Sequence, residues 1–275
     1  MTPPLVSVLV TAYNQPEALD ELLTSLARQS FRDFEVVIVN DAGCPLGPVV
    51  ALYPDLDVRL IERTTNAGQT PCLNQAVEAA RGSLLLLCDQ DDMLWEGHLA
   101  RVVEAVDGVD LVFTDAEVFR FTWAAGSRVP VQRRVLAHRF DAGFLRRYLT
   151  FTPSGMLYRR ALHDALGPFD ATLRASHYDW DWALRVAAAH RLRRVPIASV
   201  YYAFSDHNGS SDLAAMRPAV DYLRAKHGLG DVITTNFERM LDDPELGLVR
   251  AASERVWDGL PVRGRLAAPL LTQSS

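Results

Sequence analysis

The sequence predicts an α/β fold, a Rossmann-like, mostly parallel sheet flanked by helices. Three observations predict it. Short apolar runs recur along the first 115 residues, stretches with helical spacing fall between them, and polar, chemistry-bearing residues stand where the runs end. Strands that alternate with helices in this way run parallel, connect by right-handed crossovers, and collect ligands at their carboxyl ends.

Residues 6–10 form the first buried strand. Asn14-Gln15-Pro16-Glu17 then reads as a helix start, with a capping side chain, an early Pro and Glu three residues after the cap. Leu19, Leu22, Leu23 and Leu26 make one helix face. Residues 34–39 are the second strand and residues 58–61 the third. Leu73, Ala76, Val77 and Ala80 repeat the helical spacing before a fourth strand at residues 84–88. Leu99, Val102, Val103 and Val106 mark another helix, and residues 110–114 another strand.

Beyond residue 115 the pattern weakens. Residues 116–122 read as a strand and residues 123–134, with Gly126 and Pro130, as a loop. Short helices are expected at 141–148 and 160–166. Trp180, Ala183, Leu184 and Ala187 restore helical spacing, residues 195–203 are strand-like, and 217–227 are helical. The stretch from Asp258 mixes Gly, Pro and Arg and is expected to be poorly ordered.

Composition narrows the function. The 275 residues are 49% hydrophobic and 23% charged, enough for a large core in a globular chain. A formal net charge of -6 with scattered Lys and Arg lacks the footprint for a long polyanion, so nucleic acid is excluded as a partner. Cys44, Cys72 and Cys88 form no Cys-x-x-Cys pair and read as free thiols in a reducing compartment, with Cys88 in the core. No segment has the length of a transmembrane helix and no secretory signal is visible. A cytoplasmic location is therefore expected, with peripheral membrane association through a partner left open.

Four polar features stand at strand ends: Thr11-Ala12-Tyr13-Asn14, Asn40-Asp41-Ala42-Gly43, Asn66-Ala67-Gly68 leading to Asn74, and Asp89-Gln90-Asp91-Asp92. In a parallel sheet all four face one crevice. Three carboxylates in four residues repel one another, and Mn²⁺ or Mg²⁺ with a pyrophosphate would relieve the repulsion. The plain alternative is a polar loop in which Asp92 or a neighbour caps the following helix.

In order and spacing, these four motifs resemble the family 2 glycosyltransferases of the GT-A fold. The resemblance covers residues 5 to 115 clearly and weakens toward 211. It implies a nucleotide-sugar-binding half over residues 1–115, a smaller acceptor-binding and catalytic-base half over 116–215, and a C-terminal helical extension over 216–275. It implies a nucleotide-sugar donor, UDP-linked by family habit, and an acceptor hydroxyl on a polysaccharide or surface glycan. Thr11, Ala12, Tyr13, Asn14, Asp41, Asn66, Gly68, Asn74, Asp89 and Gln90 would bind the donor, with Thr11, Tyr13 and Asp41 around base and ribose. Asp89 would touch the ribose or the metal shell, and Asp91, closing an Asp-x-Asp, would ligate the metal. The family often has Arg where this chain has Leu73, so a phosphate-side cation is missing or comes from elsewhere.

His177-Tyr178-Asp179-Trp180-Asp181-Trp182 resembles the family's Glu-Asp motif, with Tyr178 where Glu is usual. On that match Asp179 is the catalytic base of an inverting transfer, and Asp181 is the fallback. A single base suffices because a metal-held diphosphate leaves without a proton. The plain alternative is that Asp179 caps a helix. Trp180 and Trp182 fall on different helix faces, so one can stack on a sugar while the other packs in the core. His207, before Asn208-Gly209-Ser210-Ser211, either joins the metal shell or is an ordinary loop residue.

Two other enzymes fit less well. A sugar-phosphate nucleotidyltransferase would want a Gly-rich, basic loop after the first strand, and a dinucleotide oxidoreductase would want Gly-x-Gly-x-x-Gly there. The segment has neither. A catalytically inactive nucleotide-sugar-binding scaffold is the third alternative, kept open by Tyr178.

Overall fold

The computed structural model describes residues 2–174, 176–205 and 211–266. The expected sheet is present. Strands β1 (Val6–Ala12), β2 (Phe34–Asn40), β3 (Val58–Glu62) and β4 (Leu84–Asp89) run parallel, with β1 between β4 and β2 and with β3 outermost. β5 (Met93–Leu94), β6 (Leu111–Ala124), β7 (Ser127–Leu136), β8 (Leu157–Arg159), β9 (Leu192–Ala203) and β10 (Glu254–Arg255) extend it. β8 lies antiparallel between β4 and β6, whereas β6, β9 and β10 are mutually parallel neighbours.

Side chains alternate across this sheet into two apolar layers. Val6, Val8 and Val10 face helix α1 (Pro16–Ala27), α2 (Gly47–Val50) and α4 (His98–Ala105). Leu9, Val37 and Val39 face α3 (Gln69–Ala79), α6 (Ala161–Leu166) and α7 (Tyr178–Ala187). Burial on both faces is why these strands read as unbroken apolar runs. α5 (Ala142–Leu145), α8 (Leu213–His227) and α9 (Phe237–Met240) close the side near the carboxyl ends. Among the described residues no helix is long and apolar enough to cross a membrane.

Three expectations need correction. Residues 123–134 are a hairpin, not a loop: Ala125 and Gly126 both take positive φ, 50° and 73°, the geometry of a two-residue strand turn. Pro130 is tolerated because it sits at a register shift, where Phe121 faces Pro130 and Arg120 faces Gln132. Asn14 does not cap α1. The cap position belongs to Gln15, without a side-chain bond, while Asn14 turns to φ 52° and its Oδ1 accepts from the Cys44 amide at 2.8 Å. The stretch after Asp258 is packed as far as it is described: Val262 is buried beside Trp257, and the Asp20 carboxylate accepts from the amides of Arg265 and Leu266. Residues 267–275 lie outside the described residues.

Candidate active site

The carboxyl ends of β1, β2 and β4 are level. Thr11 pairs with Asp89 on one side and Val39 on the other, and Ala12 pairs with Asn40. The loops that leave these ends are tied together. The Tyr13 amide donates to Gln90 Oε1 at 2.9 Å, and Gln90 Nε2 donates back to the Tyr13 carbonyl at 3.2 Å. This reciprocal bond fixes the first loop to the acidic loop and leaves the Tyr13 ring 48% exposed, an aromatic face open to a ligand.

Asp41 organises the third loop. Its two oxygens accept from the Ala67 and Gly68 amides at 2.7 and 2.8 Å, and its carbonyl accepts from Asn66 Nδ2. Gly68 is required: at φ 92° a Cβ would stand 2.8 Å from the Arg174 carbonyl oxygen. Next along the chain, Gln69 Nε2 donates to Asp89 Oδ1 at 2.8 Å and lies 3.3 Å from the Tyr178 hydroxyl. The Tyr178 phenol also hydrogen-bonds Asp89. Tyr178 thus puts a neutral donor where a Glu would add another carboxylate to a crowded site.

Asp89, Asp91 and Asp179 line one cavity of about 240 Å³ at this end of the sheet. Burial and the charges of Asp91 and Asp179 push the Asp89 carboxyl up to about 8. Burial also raises Asp91, against the pull of Arg128, and raises Asp179 to about 6. Three carboxyls that resist ionisation together form a site short of positive charge.

Asp92 differs from its neighbours. It is 1% exposed, and its oxygens accept from Ser154 Oγ at 2.5 Å and from the Ala203 amide at 3.0 Å, so it pins β9 to the 153–155 turn and caps no helix. Ser154 also accepts, at 3.0 Å, from the Asp89 amide.

Asp179 stands in the first turn of α7, whose cap position is His177 in a left-handed conformation, φ 62°. Its Oδ1 accepts from the Trp180 amide at 2.9 Å, and the residue still lines the cavity. Asp181 is unsuited to the fallback role. It is 0% exposed and held by Arg185 at 2.8 Å, Lys226 at 2.7 Å and His227 at 2.8 Å. Trp180 lines the cavity and donates to the Leu145 carbonyl, whereas Trp182 is fully buried and stacks on His163.

One expected donor-site residue is placed otherwise. Both ends of the Asn74 amide are spent on the Phe169 backbone at 2.9 Å, so it braces a loop. Leu73 is buried in the second apolar layer, and the cation that acts on Asp91 is Arg128 from β7. Arg128 is 3% exposed, pairs with Glu21 at 2.5 Å and donates to the Asp91 carbonyl at 2.6 Å. Gln69, Ser154 and Arg128 carry no motif, and nothing local in the sequence marks them. His207 lies outside the described residues.

The model of the family described as Glycosyl transferase family 2 matches residues 7–167. This chain belongs to glycosyl transferase family 2. The glycosyltransferase is 44% identical over 264 residues to the uncharacterized glycosyltransferase YwdF of Bacillus subtilis (strain 168), covering 95% of this chain and 98% of that one. Its fold matches S. aureus TarS 1-349 in complex with UDP-GlcNAc at TM-score 0.61 and 22% identity, over 80% of this chain and 66% of the TarS chain. It also matches the mannosyltransferase PcManGT from Pyrobaculum calidifontis, in complex with GDP-Man and Mn2+, at TM-score 0.62 and 20% identity, over 87% of this chain and 70% of that one. The GT-A fold expected of this glycosyltransferase is the one it adopts.

Among its described residues, no group of three or more His, Cys, Asp or Glu side chains is arranged to hold a metal unaided. The donor set fits Mn²⁺ or Mg²⁺ nonetheless. These ions take one or two carboxylates and complete their shell from phosphate oxygens and water, and Asp89 and Asp91 share one cavity wall.

Proposed function

We propose that this family 2 glycosyltransferase is an inverting enzyme that moves a sugar from a nucleoside diphosphate donor, a UDP-sugar, to an acceptor hydroxyl. The observation that carries the reading is the convergence of Asp89, Asp91 and Asp179 on one cavity at the carboxyl end of the sheet. Thr11, Ala12, Tyr13, Asn14, Asp41, Asn66, Gly68, Asn74, Asp89 and Gln90 form or brace the donor side, within residues 1–115. Residues 116–215 supply the base. Asp91, with Asp89 beside it, would hold Mn²⁺ or Mg²⁺, which when bound neutralises charge on the departing diphosphate. The solved neighbours whose names include UDP-GlcNAc, GDP-Man and Mn2+ support this reading.

Asp179 accepts the acceptor's hydroxyl proton as that oxygen attacks the anomeric carbon from the face opposite the diphosphate. The carbon–oxygen bond to the diphosphate breaks, and the diphosphate leaves with the electron pair. Tyr178 and Gln69 hold the Asp89 carboxylate in place through their hydrogen bonds. One side chain thus handles the proton while others hold the donor, so the two functions separate by mutation. Asp91→Ala is expected to abolish the Mn²⁺-dependent thermal shift given by UDP or a UDP-sugar. Asp179→Asn is expected to keep that shift and lose about 10²- to 10⁴-fold in transfer. Transfer by the Asn variant at the wild-type rate would overturn the assignment of the base.

A further inference from the structure

The cavity has two unlike ends. Around Asp89, Asp91 and Asp179 it is acidic. The rest of its wall includes the apolar bodies of Trp180, Tyr202, Met216, Ile233, Phe237 and Met240. Ile233 is 58% exposed, a large apolar side chain left in water at the cavity's edge. Tyr202 and Phe237 meet edge to face at 5.3 Å, and the two methionines supply unbranched, adaptable surface.

Four polar groups of this wall, on Arg147, Tyr148, Asn236 and Trp180, are turned to other duties. Arg147 is ion-paired with Glu245, and the Tyr148 hydroxyl is shared between Asp243 at 3.2 Å and Glu245 at 3.1 Å. Asn236 Oδ1 caps α9 by accepting from the Arg239 amide at 2.9 Å, and Trp180 Nε1 is bonded to the Leu145 carbonyl. Beside Asp179, His177 Nδ1 is buried without a hydrogen-bond partner among the described residues. A saccharide seated here would bury several hydroxyls against groups already engaged, which is unfavourable. A molecule whose sugar stops at the acidic residues and whose body beyond it is apolar would lose nothing by the same burial.

We propose that the acceptor is a glycoside that presents a sugar hydroxyl to Asp179 and lays an apolar aglycone, aromatic or alkyl, against the Trp180–Ile233–Phe237 wall, and is not an all-polar polysaccharide end. This inference rests on the glycosyl-transfer reading. It replaces the polysaccharide acceptor implied by family resemblance with a class set by this chain's own wall.

The test uses the full chain with Mn²⁺ and follows nucleoside diphosphate release and product from UDP- and GDP-sugars. The probes are methyl, phenyl and octyl β-glucosides and a soluble gluco-oligosaccharide. Phenyl or octyl glucoside should show a KM about tenfold below that of methyl glucoside, the discrimination a pocket gains from a few buried apolar carbons. A phenyl preference would mark an aromatic body and an octyl preference an alkyl one. Ile233→Asn, at an exposed position where folding is not at stake, should narrow that preference. Equal or better use of the methyl glucoside or the oligosaccharide would overturn the apolar acceptor. So would donor hydrolysis that no aglycone accelerates or suppresses, and in both cases the glycosyl-transfer reading would stand. If no donor released its diphosphate under any condition, the reading and this inference would fall together.

Discussion

Two aspartates two positions apart on α7 meet opposite fates, and their partners decide which. Asp181 faces Arg185, Lys226 and His227 and is structural. Among the described residues no cation acts on Asp179, and burial lifts its carboxyl to about 6. A base must be ionised to accept a proton, so below about 6 the protonated form dominates and transfer is lost. The kcat/KM for transfer should rise tenfold per pH unit below about pH 6 and level off above it, measured from about pH 5 to about pH 8 at saturating Mn²⁺. A flat profile over that range would argue against Asp179. Asp179 and Asp91 were legible because each stands in a short motif at a strand or helix end. Gln69, Ser154 and Arg128 were not, because their roles arise from pairings across 20, 65 and 37 residues of chain that no local pattern encodes.

The hairpin of β6 and β7 shows the same limit for a whole element. Gly126 and Pro130 are loop signals, and their true roles, a tight turn and a bulge, depend on β6 lying alongside. β1, β2 and β4 were readable because burial on both faces makes each an apolar run, whereas β7 is half-exposed and rich in Arg. The hairpin delivers Arg128 to α1 and the acidic loop. Glu21, its partner, keeps a raised pKa because desolvation outweighs the attraction of Arg128. Such a pair adds little net stability but is costly to break. Arg128→Met should cost about 3–5 kcal/mol in urea unfolding, through the uncompensated Glu21. Adding Glu21→Leu should recover most of that loss. If the double variant were as unstable as the single one, the cost would lie in packing against Phe119 and Phe121 and not in charge.

At the scale of the molecule, the sheet concentrates its unfavourable charge at one end, and this sets how stability answers to pH. A carboxyl whose folded pKa is raised stabilises the fold while protonated and loses that contribution as pH rises through the folded value. For Asp89 the loss extends to about pH 8, and for Asp179 to about 6. Buried histidines act in the opposite direction. His98, His163 and His177 are lowered to about 4 by burial, so stability from them is gained as pH rises from about 4 to their ordinary value near 6.5. The two effects compete below about 6.5. Above it the histidines are neutral in both states and the raised carboxyls of the acidic loop, Asp89 and Asp92 among them, dominate. The metal-free protein should therefore melt at lower temperature at pH 8 than at pH 6.5, and Asp89→Asn should reduce that fall. Mn²⁺ with UDP should raise the melting temperature more at pH 8, because a carboxylate that must shed its proton to bind a cation binds it better once the proton is gone. A metal-free melting temperature that rises between these two pH values, or an Mn²⁺ shift equal at both, would mean that the acidic cavity is not the cation site.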